Sequence, residues 1–276
     1  MAFLGLLFLG GFLSGILLSF NMKSIFDIGS LASYKSIVAS DDFWMGLKLS
    51  LKIAGVSTVI SGVMAIILIF VLYYILSCFG LKYMSTIKKV IQIPMLIPYI
   101  IAGLFIMILF QRSGIISSLM YKIGFIETIS DFPVLINDEF AWGIILTYVW
   151  KTTPFIILMV FPKILKVEET WIEVGMMLGV NRLYFFRKVV FQLIKFEWIT
   201  TCFIVFAFTF SEFEIPYMLG VTYPKTLSVL SYNLFINGDL SERPIALGIN
   251  LIVAIITLAI GLIGLRLTKH KRNLYE

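Results

Sequence analysis

Three ionisable side chains interrupt long apolar stretches of the chain. Lys151 lies within the run from Phe140 to Phe161, and Glu212 and Glu214 lie within the run from Trp198 to Leu219. An ionised group among apolar residues has to face protein or water, and such groups at membrane depth are candidates for a functional role. These residue types predict a pathway for an ion or a substrate.

Residues that catalysis would need are scarce. The chain has one histidine, His270, in a basic tail where a solvated side chain is expected, and it has no HExxH or GxSxG motif. The GxxxxGK[ST] loop that binds nucleotide phosphates is absent too, so any ATP has to be bound by another chain. We therefore expect no enzyme, no cofactor and no metal on this chain, and no disulfide between Cys78 and Cys202.

The composition predicts an all-α integral membrane protein with one domain, residues 1–276. Hydrophobic residues make up 60% of the chain and charged residues 14%, and the mean hydropathy is +1.00. This leaves too little polar surface to cover a globule in water. Windows of about 20 apolar residues, the length that crosses a bilayer, predict six transmembrane helices: Ala2–Phe20, Ile53–Phe79, Val90–Phe110, Phe140–Phe161, Trp198–Leu219 and Ile245–Leu267.

The basic residues predict the orientation of these helices. They concentrate after the second span, between Lys163 and Lys195, and in the C-terminal tail. Since Lys and Arg favour the cytoplasmic side, both termini and the loop 163–196 are predicted to be cytoplasmic. The net charge of +6 follows from this topology, so no nucleic-acid partner is expected.

Prolines and paired glutamates predict broken helices. Glu212 and Glu214 are about 200° apart on a regular helix, so both face one pore only if the helix breaks. Pro216 favours such a break, because its ring clashes with the carbonyl of residue 212; the alternative is a kink near the membrane surface with both carboxylates hydrated. Pro94 and Pro98 indicate a second bent helix in the third span.

Lys151 and Glu212 are predicted to lie at similar depths. Lys151 is about 16 Å from the outer end of its span and Glu212 about 10 Å from the outer end of the next. One hypothesis is an ion pair that organises the pathway. The alternative is that each side chain has its own partners, and the sequence does not distinguish between the two.

A compact charged segment, "KVEETWIEVGMMLGVNRLYFFRKVVFQ", separates the fourth and fifth spans. Apolar residues from Trp171 to Leu178 recur at helical spacing, with acidic residues elsewhere on the wheel. Gly179 is placed to end this helix, and Asn181 is placed to cap a second one that begins at Arg182. From periodicity alone, an interfacial helix on the lipid headgroups is the favoured interpretation.

The same segment resembles the EAA loop of permease subunits in binding-protein-dependent ABC importers, which have a MetI-like fold. Glu173-Val174-Gly175 stands for E-A-A, Gly179 has the required distance, and Val189-Val190-Phe191-Gln192 occupies the final positions. Both alanines and the terminal proline are replaced. The stretches "FWMGLKLSLKIA", "QIPMLIPYIIAG", "YVWKTTPF" and "SEFEIPYMLG" resemble the family as well, so the similarity covers most of the chain.

The resemblance implies a transport subunit in the cell membrane. Its partners would be a second permease subunit, two ATPase chains that bind ATP, an extracytoplasmic binding protein and lipid. It implies a coupling helix that docks on the ATPase, with these residues: Glu168, Glu169, Glu173, Val174, Gly175, Gly179 and Arg182. The pathway candidates are Lys151, Glu212, Glu214, Pro216, Pro94 and Pro98.

Two further expectations concern the outer side and the cargo. A helix with Leu227, Leu230 and Leu234 on one face is predicted after the fifth span, either to dock the binding protein or to pack on the membrane surface. "SEFEIPYMLG" looks most like the branch that serves polyamines, ferric iron, thiamine and phosphonates, and two acidic residues near an outer gate suit a polyamine.

The competing class is a stand-alone channel or secondary carrier that uses Lys151 and Glu212 for ion coupling. A carrier often has inverted halves with matching broken helices. No convincing repeat relates residues 1–138 to residues 139–276.

Overall fold

A computed structural model describes residues 2–22, 29–79, 84–177 and 180–272. For residues 2–4, 6–8, 76–79, 84–85, 165–177 and 267–272 it describes the backbone alone. Every longer described element is a helix: α1 Ala2–Ser19, α2 Ala32–Ala39, α3 Asp41–Phe79, α4 Met84–Leu96, α5 Tyr99–Phe110, α6 Ile115–Lys122, α7 Trp142–Met177, α8 Arg182–Phe185, α9 Phe191–Ser211, α10 Glu214–Leu219, α11 Leu227–Asn237 and α12 Arg243–Arg272. A 3₁₀ turn, Ile129–Asp131, precedes α7, and a π-helix, Phe186–Val190, joins α8 to α9.

Five described stretches are long and apolar enough to cross a membrane: Asp41–Ile75, Tyr99–Lys122, Trp142–Ile164, Arg182–Ser211 and Arg243–Arg266. The first predicted span corresponds to α1. Its apolar part Leu9–Ser19 is shorter than the five stretches above and is not counted among them. The chain is thus a multi-pass, all-helical membrane protein. The count of six spans and the cytoplasmic position of both termini stay predictions.

Two helices extend well beyond the spans predicted from hydropathy. α3 begins at Asp41, where the predicted span begins at Ile53, and α7 continues past Phe161 to Met177. At about 1.5 Å per residue, α7 is about 54 Å long, whereas the hydrocarbon core is about 30 Å thick. Hydropathy ends a span where polar residues begin, but the helical backbone runs on into polar sequence, so the segment predicted as a separate amphipathic helix is here the end of α7.

The core forms where α3, α7 and α9 pack together. The largest apolar cluster contains Ile69 of α3, Ile156 of α7 and Ile194 of α9, and all three side chains are fully buried. The close approach of α3 to α9 depends on Gly62, because a side-chain carbon there would meet the ring of Trp198 at 3.2 Å. The Trp198 indole donates to the Gly62 carbonyl at 3.1 Å. Small residues at such crossings allow membrane helices to pack closely.

Two of the helical rods are broken. The first break, at Ile97–Pro98, separates α4 from α5, and the second break, at Glu212–Phe213, separates α9 from α10. Irregular backbone at membrane depth is tolerated where it is buried in protein or lines a cavity. α7 packs against the helices on both sides, so it is the element that positions the two breaks.

Candidate translocation site

The first break follows from its two prolines. Pro98 disfavours the helical conformation at Ile97 and has no N–H of its own to donate. α5 starts again when Ala102 donates to the Pro98 carbonyl at 3.0 Å. The Ile97 carbonyl accepts a hydrogen bond from the Lys151 ammonium of α7. A charged donor on α7 therefore satisfies the backbone acceptor at this break.

The second break is held by a carboxylate. Glu212 accepts hydrogen bonds from the amide of Glu214 at 3.0 Å and from the amide of Ile215 at 3.2 Å, and so caps the start of α10. It also accepts a hydrogen bond from the Tyr148 hydroxyl at 2.5 Å. A negative charge at a helix N-terminus is favourable. Pro216 is buried near the start of α10, where a missing N–H costs little.

One face of α7 serves both breaks. Tyr148 and Lys151 are three residues apart and therefore lie on the same side of the helix. Tyr148 is 0% exposed and Lys151 is 4% exposed. Beside them, the Thr152 hydroxyl contacts the Ser61 hydroxyl of α3 at 2.7 Å and donates to the Tyr148 carbonyl at 2.8 Å. This polar stripe fixes the two broken helices against the unbroken α7.

Lys151 and Glu212 do not form an ion pair. In the described part of the chain the one ion pair joins Lys163 to Glu197 at 2.5 Å. Lys151 instead contacts the Ile97 carbonyl and lies 4.3 Å from the centre of the Tyr99 ring. In the structure each of the two side chains therefore has its own partners, as the alternative hypothesis holds. Similar depth, which residue counts predict, is not sufficient for an ion pair.

A cavity of about 280 Å³ lies at the first break. Its wall includes Met95 of α4, Tyr99 of α5, Lys151 and Phe155 of α7, and Ile204 and Phe208 of α9. Lys151 is the one basic residue among the described residues of the wall, which is otherwise mostly apolar and aromatic. A cleft with few polar groups in an apolar wall is typical of a small-molecule site.

The structure brings together four of the six predicted pathway residues. Pro98, Lys151 and Glu212 hold the two breaks, and Glu214, which is exposed, attracts Lys151 electrostatically without contacting it. Pro216 is buried in α10, and Pro94 lines a separate apolar cavity of about 450 Å³ against α3, α5 and α7.

Two residues of this site were not predicted from the sequence, namely Tyr148 and Tyr99. Tyr148 carried a usable signal. It lies one helical turn before Lys151, and a buried tyrosine hydroxyl usually finds a hydrogen-bond partner. Tyr99 gave no such signal, because an aromatic residue after a proline is common in apolar helices.

The predicted coupling residues lie largely outside the described side chains. Glu168, Glu169, Glu173, Val174 and Gly175 belong to the backbone of α7, and Gly179 lies outside the described residues. Arg182 begins α8, with its guanidinium 5.1 Å from the centre of the Tyr74 ring.

The anchor of this segment is better defined. The Asn181 side chain accepts from the Leu183 amide at 3.0 Å, which confirms the predicted cap. Phe186 packs on α3, with its ring 5.0 Å from Phe70 and 5.6 Å from Tyr73. The end of the predicted coupling segment is therefore fastened to the core.

No family model matches the chain, but curated relatives do. It is 24% identical over 213 residues to the probable ABC transporter permease protein y4oQ of Sinorhizobium fredii, covering 75% of this chain and 66% of the relative. It is 28% identical over 180 residues to the molybdate/tungstate transport system permease protein WtpB of Methanocaldococcus jannaschii, covering 65% of this chain and 66% of the relative. It is 24% identical over 242 residues to the glucose import system permease protein GlcT of Saccharolobus solfataricus, covering 86% of this chain and 82% of the relative. The chain thus spans just under two thirds of the first two relatives.

Solved structures give the architecture. A bacterial ABC transporter involved in the import of the acidic polysaccharide alginate matches with a TM-score of 0.76 at 17% identity, over 92% of this chain and 88% of that one. The chain thus shares its fold with a chain of this transporter. The MetNI methionine ABC transporter, in inward-facing conformations, also matches, with a TM-score of 0.60 at 18% identity, over 82% of this chain and 96% of that one.

These relatives do not support the polyamine, iron, thiamine and phosphonate branch. Their names mention molybdate, tungstate, glucose, alginate and methionine. The signature "SEFEIPYMLG" on which the branch was predicted surrounds the second break. In the structure its Glu212 caps α10, a role that carries no information about cargo.

Proposed function

We propose that this chain is the membrane-spanning permease subunit of an ATP-driven importer in the cell membrane, with both termini in the cytoplasm. The observation that carries the proposal is the pair of helix breaks that one face of α7 holds together within the permease fold. Broken helices at membrane depth are found where irregular backbone is buried in protein or lines a substrate pathway.

α7 links the breaks to the predicted coupling segment. Lys151 and Glu173 belong to the same unbroken helix and are about 33 Å apart along its axis. Motion of an ATPase against Glu168–Gly179 would therefore reach Lys151 and Tyr148 along one continuous helix, which passes Pro162 and Pro154 without a break. The pathway residues in this proposal are those predicted from the sequence together with Tyr148 and Tyr99.

The partners follow from the same proposal. The resemblance to binding-protein-dependent importers implies a second permease subunit, identical or related, together with two ATPase subunits that bind ATP and an extracytoplasmic binding protein. One of the similar structures is an alginate transporter in complex with a periplasmic protein carrying an alginate pentasaccharide. A polyamine cargo stays a prediction without support from the relatives named above.

The test is recovery of an ATPase with the solubilised protein. Wild type isolated from its native membrane should bring down a chain with a Walker motif, identified by mass spectrometry. Gly179→Asp should lose that chain, because a charged side chain enters the proposed docking segment. Asn181→Asp is the matched control: it adds the same charge two residues away and keeps the cap of α8.

The outcomes separate the two function classes. Recovery with wild type and with Asn181→Asp, and loss with Gly179→Asp, supports the importer. A stable wild-type preparation without any ATPase contradicts it and favours the carrier or channel interpretation.

A further inference from the structure

The cavity at the first break has a definite chemical character. Its volume of about 280 Å³ is near the lower end of the range for ligand pockets. Aromatic rings from α5, α7 and α9 form much of its wall, and the Lys151 side chain, 4% exposed, reaches it from α7. An ammonium group with so little access to water is a strong local source of positive potential.

Lys151 retains hydrogen-bonding capacity. An ammonium group has three N–H donors, and the described contacts of Lys151 are one carbonyl, that of Ile97, and the face of the Tyr99 ring. No carboxylate lies within ion-pair distance of it in the described residues. Glu212 is not its partner, because that carboxylate is engaged by Tyr148 and by the α10 amides.

We infer that this cavity receives an anionic oxygen group of the cargo, a carboxylate or another oxyanion, and that Lys151 binds it. The inference rests on the proposed function and gives the substrate class for the same site. Glu214 acts electrostatically on Lys151, but it is exposed and lies outside the described cavity wall, so the charged side chain that lines the cavity is Lys151. A cationic cargo such as a polyamine would meet repulsion there.

Binding an anion at Lys151 would also act on the first break. A cargo oxygen that accepts from one of the other N–H donors would draw the ammonium group toward the cavity and so weaken its hydrogen bond to the Ile97 carbonyl. α4 and α5 would then be free to change their relative position. In this way the cation that recognises the cargo also controls the helix break beside it.

The test compares two thiol reagents of similar size and opposite charge at one cysteine in the cavity. Ile204 lines the cavity from α9 and is 41% exposed, so Ile204→Cys is made in a chain whose native cysteines carry Cys78→Ala and Cys202→Ala. The reagents are sulfonatoethyl methanethiosulfonate, an anion, and trimethylammonioethyl methanethiosulfonate, a cation. The measured quantity is the ratio of their rate constants, in the complex as isolated and with ATP.

Substitutions at Lys151 give the expected result. Lys151→Gln should lower the anion-to-cation ratio about tenfold, the scale on which local potential changes encounter rates, and Lys151→Arg should keep it. Lys52→Gln is the matched control, because Lys52 also donates to a carbonyl, that of Glu139 at 3.2 Å, and lies 4.0 Å from the Phe140 ring, but lines no part of this cavity. It should leave the ratio unchanged.

Three results would overturn the inference: an unchanged ratio in Lys151→Gln, a higher rate for the cationic reagent in the parent chain, or no reaction with either reagent, since a cavity closed to small ions receives no cargo. The reagent ratio is also measured on the chain alone in nanodiscs. Absence of an ATPase from the pull-down contradicts the proposed function. A rate-constant ratio that Lys151→Gln does not change contradicts the anion site, so the two failures can be distinguished.

Discussion

At the first break the backbone group left over is a carbonyl, whereas at the second break the groups left over are amides. α7 meets the first need with one cation, Lys151. It meets the second through Tyr148 and the Glu212 carboxylate, which together make three hydrogen bonds. Both breaks lie beside α7. At the first break one carbonyl accepts from one lysine, whereas at the second break three donors bind one carboxylate.

The difference assigns the breaks different roles. A carboxylate with three donors is fully satisfied, so the second break is expected to be a fixed joint that contributes to stability. A buried lysine with one carbonyl partner and an adjacent cavity is open to exchange, so the first break is expected to respond to cargo. Substitutions in the two places should therefore separate stability from transport.

The largest effect on stability is expected from Glu212→Ala. The substitution leaves two α10 amides and the buried Tyr148 hydroxyl without their acceptor, and an unsatisfied buried polar group costs about 1–3 kcal/mol. We expect a loss of about 3 kcal/mol in the free energy of unfolding, measured in mixed micelles by circular dichroism. Glu214→Ala, at an exposed neighbour, is the control; an equal loss there would contradict a special role for Glu212.

Tyr148→Phe should have a smaller effect at the same joint. It removes one hydrogen bond and leaves the two amide bonds of Glu212 in place. Side-chain hydrogen bonds between membrane helices contribute about 0.6 kcal/mol on average, so a loss of about 1 kcal/mol is expected in the same unfolding measurement. A loss as large as that of Glu212→Ala would show that the hydroxyl, rather than the carboxylate cap, holds the second break.

Lys151→Met should change stability by less than about 1 kcal/mol in either direction. The freed Ile97 carbonyl loses a donor, but the protein no longer carries a desolvated charge, and an apolar replacement of similar volume commonly offsets that loss. The unfolding free energy of this variant is compared with that of Glu212→Ala. Similar large losses in both would remove the distinction between the two breaks.

The smallest quantity is the coupling energy between Lys151 and Glu212. Because the two side chains form no ion pair, a double-mutant cycle with Lys151→Met and Glu212→Gln should give at most about 0.5 kcal/mol. The cycle between Tyr148→Phe and Glu212→Ala, in which alanine removes the acceptor of the Tyr148 hydroxyl, is the positive control and should give about 1 kcal/mol. A coupling energy between Lys151 and Glu212 above about 1 kcal/mol would indicate that an ion pair between them does contribute to the fold.

Local signals in the sequence predicted the breaks but not their partners. Pro98 and Pro216 lie at or just after the two breaks, and Asn181 indicates a cap, but Pro94, Pro154 and Pro162 lie inside continuous helices, so a proline alone does not locate a break. The contact of Tyr148 with Glu212 joins residues 64 apart in the chain, and that of Lys151 joins residues 54 apart. Such contacts depend on the rotation of one helix against another, and hydropathy does not report rotation.

Helix ends were the other part that hydropathy could not supply. α3 and α7 run far into sequence that is polar enough to end a predicted span. Glycine, proline and capping residues favour the end of a helix, and polarity alone does not supply such a signal. The same argument explains why Lys163 and the predicted coupling residues from Glu168 to Gly175 belong to α7, the helix that packs beside both breaks.

The central proposal is that this chain exposes the cavity to one side of the membrane at a time, under the control of a partner ATPase. It is tested by the reaction of Ile204→Cys with the sulfonatoethyl reagent, added from either side of proteoliposomes that contain the assembled complex, with and without ATP. The account predicts reaction from one side without ATP and from the opposite side with ATP. Reaction from the same side in both conditions, or rates that ATP does not alter, would contradict it.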